Sequence, residues 1–163
     1  MRCATYAIAL AATFIAASAG ADVNNPRETR VSGDAAKALV AGDFGRALSL
    51  SEEATRLAPK DPWPFYDRAS ALVALHRTDE AIAAFGRAEE LFGDDHWARS
   101  VSIFGRARAY ELAGRCGDAA RTFQEYAQFV RDDDPQGAQL ALRYARECPA
   151  REQPAIGGGP KPR

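Results

Sequence analysis

Lysine is scarce in this 163-residue chain, with only Lys37, Lys60 and Lys161. Arginine brings the basic total to 21 against 22 acidic residues, and the formal net charge is -1. No strong field of one sign results, which excludes a nucleic-acid binder held by a basic surface. Valine and isoleucine are also sparse, and the alternation that marks strands is missing. Histidine is limited to His76 and His96, and cysteine to Cys3, Cys116 and Cys148. Residues so few and so far apart make neither a C-x-x-C pair nor a clustered ligand set, so no metal or cofactor is expected. Phosphate-loop, zinc-protease and nucleophile-elbow patterns are absent as well. Gly157-Gly158-Gly159 falls in a Pro- and Gly-containing tail, not between a strand and a helix. The chain therefore reads as non-catalytic. With 47% hydrophobic and 26% charged residues it lies in the globular range, rich enough in apolar groups to bury a core.

The N-terminus is distinct. Met1-Arg2 precedes an apolar run, Tyr6 to Ala19, that ends in the small-residue triplets Ala17-Ser18-Ala19 and Ala19-Gly20-Ala21. This pattern reads as a secretory signal peptide over residues 1–21, cleaved near Ala19 or Ala21, with a short linker at 22–27. Fourteen residues in a helix rise about 21 Å, short of the roughly 30 Å hydrocarbon core, so no stable membrane span is expected after cleavage. An uncleaved anchor or a buried N-terminal helix is the alternative. A periplasmic or secreted location follows, in which the two cysteines left after cleavage can form a structural disulfide if the fold brings them together.

The rest of the chain has helical periodicity and abundant alanine. Turn signals divide it at Gly42-Asp43, Pro59-Lys60-Asp61-Pro62, His76-Arg77, Gly93-Asp94-Asp95, Gly114-Arg115 and Asp132-Asp133-Asp134-Pro135. Asp-Pro pairs are good helix starts, because the carboxylate accepts from orphan N–H groups and proline gives up an N–H that had no partner. Ala35, Ala69, Ala107 and Ala141 recur at intervals of 34, 38 and 34 residues, followed three positions on by Ala38, Leu72, Tyr110 and Tyr144. Ala47, Ala81 and Ala119 repeat at a common offset, with Ser51, Phe85 and Phe123 after them. A period in this range marks helix pairs that stack to bury their apolar faces.

These ordered residues resemble the tetratricopeptide repeat family over about 28–148. The resemblance implies an all-α, right-handed superhelix of stacked antiparallel helix pairs: repeats at about 28–61, 62–95 and 100–133, a capping helix at 135–147, and a disordered tail at 149–163. The extra residues at 94–99 fall between units, where an insertion is cheap. In such an array the first helices of adjacent units run roughly parallel, which places Cys148 at the end of the cap beside Cys116 in the preceding turn. A Cys116–Cys148 disulfide is expected, with two unpaired buried thiols as the alternative.

The family's concave groove is lined by its first helices. Mapped onto this chain, that face offers Trp63, Tyr66 and Ser70, then Phe104, Arg108 and Glu111, with Leu39 nearby. Aromatic and Arg residues are typical interface anchors. Against this stands the reading in which Tyr66 and Phe104 pack between repeats and only Trp63 is accessible. The Lys- and Asn-rich clamp with which some members hold a C-terminal carboxylate is absent at the corresponding positions. The expected function is an exported protein–protein interaction module, an adaptor or assembly factor that holds a peptide or helix of an envelope protein. A self-assembling repeat protein is the structural alternative, and an accessory subunit of an enzyme using Asp94, Asp95 and His96 the enzymatic one. Asp94-Asp95-His96 and Asp132-Asp133-Asp134 abut expected helix starts and read as caps.

Overall fold

The computed structural model describes residues 26–152, and the signal-peptide reading of 1–21 lies outside them. Seven helices follow one another in the described part: α1 Pro26–Val40, α2 Phe44–Leu57, α3 Pro62–Ala74, α4 Thr78–Phe92, α5 His96–Leu112, α6 Cys116–Phe129 and α7 Pro135–Glu152. The first helix begins at Pro26, inside the expected linker, and the last runs past 147 to Glu152, into the expected tail. No strand is present among the described residues, and none of their helices is long and apolar enough to cross a membrane.

Short turns fix the zigzag. Within each pair one residue adopts a positive φ: Gly42 at 76°, His76 at 59° and Gly114 at 72°. The next N–H then reaches back five residues, from Asp43 to the Ala38 carbonyl, Arg77 to Leu72 and Arg115 to Tyr110, each at 2.9 Å. This geometry satisfies carbonyls that the helix end leaves orphaned. Between pairs, aspartates start the first helices. Asp61 accepts from the Trp63 N–H at 3.0 Å, Asp95 from Ala98 at 3.0 Å and Asp134 from Gly137 at 2.8 Å.

Alanines set how closely the helices approach. Ala35, Ala69, Ala107 and Ala141 on the first helices and Ala47, Ala81 and Ala119 on the second are fully buried. Larger groups fill the space beside them: Leu72 and Phe85 in the N-terminal core, Phe123 in the C-terminal one. Gly105 completes the α4–α5 crossing, since a Cβ there would lie 2.6 Å from the Phe85 ring. Arg106 ties three helices, reaching Glu89 on α4 at 3.1 Å and Glu125 on α6 at 3.0 Å. At the far end Cys116, the first residue of α6 and not a turn residue, is bonded to Cys148 on α7 with Cα atoms 5.2 Å apart. First helices also touch one another, α1 against α3 and α3 against α5, and so form a continuous wall.

Candidate functional site

That wall is where the candidate groove residues fall. Trp63 stands in the first turn of α3 because Asp61 caps the helix through its N–H and Pro62 and Pro64 pre-set the backbone. Its ring meets Phe92 at 4.9 Å, Tyr66 at 5.9 Å and Trp97 at 6.3 Å between centroids. Tyr66 lies edge-on to Phe85 at 5.6 Å, and burial pushes its phenol up to about 12. Ser70 donates from its hydroxyl to the Tyr66 carbonyl at 3.0 Å. Phe104, on α5, sits among Phe123, Tyr126 and Tyr144 at 5.2–6.2 Å. Trp63, Tyr66 and Phe104 are thus half-buried packing groups that join neighbouring units. Leu39 is buried in the core. Arg108 pairs with Glu111 one turn along, and its guanidinium lies over the Tyr144 ring at 5.3 Å.

The sequence reading missed the most exposed aromatic of the wall. Trp97, one residue into α5, is 50% exposed beside Trp63 and falls in the stretch 94–99, which the repeat interval marks as an insertion between units. At the opposite edge Val40 and Leu112 end α1 and α5, and Leu75 caps the end of α3, all with exposed side chains. Together with Trp97 and with Leu140 and Leu142 of α7 they make up the exposed large apolar groups of the described residues, and none lies on a second helix.

Asp67, also missed, sits half-buried on α3. Burial, with the Asp61 charge adding to it, pushes its carboxyl up to about 7. Asp61 is raised as well, mainly by burial and further by Glu28 in the first turn of α1, despite its bond from Trp63. His96 stacks on Phe129 at 4.1 Å and lies 3.3 Å from Asp133, while Asp95 is a cap. Among the described residues no three His, Cys, Asp or Glu side chains converge as metal ligands would.

Known proteins share this arrangement. Residues 32–102 match the family described as tetratricopeptide repeat. The Hsp70-Hsp90 organizing protein of Triticum aestivum is 30% identical over 134 residues, covering 80% of this chain and 22% of that much longer protein. The TPR2B domain of yeast Sti1, solved as a pHsp70 complex, superposes with a TM-score of 0.65 at 18% identity over 74% of this chain and 96% of that one. The Sgt2 TPR domain of Aspergillus fumigatus gives 0.66 at 15% identity over 85% and 92%. A TPR-like protein of Chlorobium tepidum gives 0.59 at 20% identity over 76% and 92%. Residues 32–102 thus match the tetratricopeptide-repeat family, and the helical array described from Pro26 to Glu152 has the tetratricopeptide-repeat fold.

Proposed function

We propose that this chain is a non-catalytic interaction module, exported to the periplasm or secreted, whose wall of first helices holds a helix or peptide of an envelope protein. One observation carries the reading: the exposed large apolar side chains of the described residues gather on the first helices or at their ends, and none lies on a second helix. Surfaces of this kind mark interaction sites. The relatives are consistent with it, since one is named for organizing Hsp70 and Hsp90 and another was solved holding pHsp70. The chemistry of this groove is apolar and aromatic, and the carboxylate clamp expected for chaperone tails has no counterpart in its sequence. Arg108 and Glu111, paired with each other in the last turns of α5, supply polar groups near Leu112.

The test is retention of envelope proteins on the immobilised chain, compared with Trp97→Asp/Leu112→Asp and with Glu90→Arg on a second helix. All three substitutions are at exposed positions, and the helical circular dichroism of each variant checks that the fold is kept. The groove variant loses the retained proteins and the second-helix variant keeps them. Equal retention by all three would sink the reading.

Self-assembly is favoured by a separate observation. Between α6 and α7 lies a furrow lined by Ala127, Ala138 and Leu142 with Gln124, Gln128 and Gln139 around it, the seat a further helix of the array would take. Light scattering across a dilution series tests it, and a monomer at every concentration would discard it.

A further inference from the structure

Pro135, Gln139, Leu142 and Arg146 follow one another at helical spacing down one stripe of α7. The first three line the furrow between α6 and α7. Leu142 is 40% exposed there, beside Ala127 and Ala138, which are buried and line the same furrow. Small residues let another helix approach closely, and Leu142 is the knob such a helix would cover. Charge is unevenly spread along the furrow. Where α7 starts, Asp132, Asp133 and Asp134 outweigh Arg131; toward its end the exposed Arg143 and Arg146 outweigh Glu147. Asp133 lies 3.3 Å from His96 and Asp134 caps α7, whereas Asp132, Arg143 and Arg146 have no ion-pair partner among the described residues.

We propose that the furrow is filled by α7 of a second copy of this chain, the two helices lying antiparallel about a two-fold axis near Gln139. The proposal rests on the self-assembly reading above and names its interface. In an isologous pair each α7 sits in the furrow of the other, so both exposed Leu142 side chains are covered at once. Charge then fixes the direction. Pro135 and Leu142 are separated by about 10 Å along the helix, and an axis midway between them sets Leu142 of each copy against Pro135 of the other. The same axis brings Arg143 and Arg146 of one copy to the aspartates at 132–134 of the other. Parallel pairing would instead set aspartates against aspartates and arginines against arginines, which is repulsive at both ends. Gln139 falls at the axis, where its amide can donate to and accept from its symmetry mate. None of Val40, Leu75, Trp97 and Leu112 lines the furrow, so the dimer presents two walls of first helices.

The test is sedimentation velocity over a dilution series of the full chain in a Cys3→Ser background, beside Asp132→Lys/Asp133→Lys, Arg143→Glu/Arg146→Glu and an equimolar mixture of those two variants. All four exchanged positions are exposed, and circular dichroism checks each fold. The parent should form a dimer and nothing larger. Each variant alone should raise the dissociation constant about tenfold or more, because like charges then face each other at both ends. The mixture should recover the parent's dimer, since reversed end meets reversed end and native end meets native end. A parent dimer that neither variant weakens, or a mixture that fails to recover it, would overturn the α7 pairing while leaving self-assembly standing. Open chains longer than a dimer would overturn the two-fold closure. A monomer at every concentration would overturn the pairing and self-assembly together, with the groove reading untouched.

Discussion

Cutting the Cys116–Cys148 bond should weaken the far end of the array by a calculable amount. The two residues are 32 apart in sequence. In the chain-entropy model a loop of that length restricts the unfolded state by about 12 cal/mol/K, or about 3.7 kcal/mol at 25 °C. Cys148 is almost fully buried against α6, with Ala138, Ala141 and Ala145 on the same face of α7. Cys148→Ser therefore adds a polar group to an apolar seat, whereas Cys148→Ala isolates the loss of the link. The assay is urea unfolding of Cys3→Ser/Cys148→Ala against Cys3→Ser alone, the common background removing the third thiol. The midpoint should fall by the equivalent of about 3–4 kcal/mol, and adding reductant to the parent should reproduce most of that drop. Amide exchange should quicken first in α7, because sub-global opening takes the least anchored element. Identical midpoints with and without reductant would refute the reasoning.

Three further predictions test the array itself. Asp67, pushed up to about 7 by burial, keeps its proton in the folded chain where the unfolded chain has lost it. Stability therefore falls as pH rises from about 4 to about 7, by an upper limit of about 4 kcal/mol. Asp67→Asn should remove most of that slope in urea titrations at several pH values, leaving the part due to Asp61, which is raised as well, and an unchanged slope would count against the placement of the carboxyl. His76 occupies with φ 59° the position that glycine holds in the other two within-pair turns, so His76→Gly should stabilise by about 1 kcal/mol in thermal unfolding. Gly105→Ala should destabilise by about 1–3 kcal/mol through overpacking against Phe85, despite alanine's better helix propensity. A gain in stability would contradict the close α4–α5 approach.

Much of this architecture was legible before any coordinates. The recurring alanines at 35, 69, 107 and 141 are all fully buried, because only small residues allow first helices to approach their neighbours. The Asp-Pro starts at Pro62 and Pro135 open helices as capping chemistry requires. The turns at Gly42, His76 and Gly114 carry the same intervals into the backbone. Placement of the aromatic side chains was less legible. A helical period says which face Trp63, Tyr66 and Phe104 occupy, yet not whether the next unit covers their rings. Trp97 escaped notice for a related reason, since it lies where the repeat interval lengthens and no periodic neighbour marks it. Asp67 reads in sequence as an ordinary helix-surface carboxylate, and its burial depends on tertiary packing that the helical period does not encode. The terminal helix outran its expected end because no breaker intervenes before Pro149, and a proline there did not stop it.

The central claim is that partners bind the first helices and not the second. The most direct measurement is a photo-cross-linking scan of the chain in a native envelope preparation, with the reactive group placed in turn at positions 40, 97 and 112 on first helices and 49, 90 and 125 on second helices. Capture of the same protein from all three first-helix positions and from none of the second-helix positions is the predicted result. Capture from 49, 90 and 125 with 40, 97 and 112 silent would contradict the account.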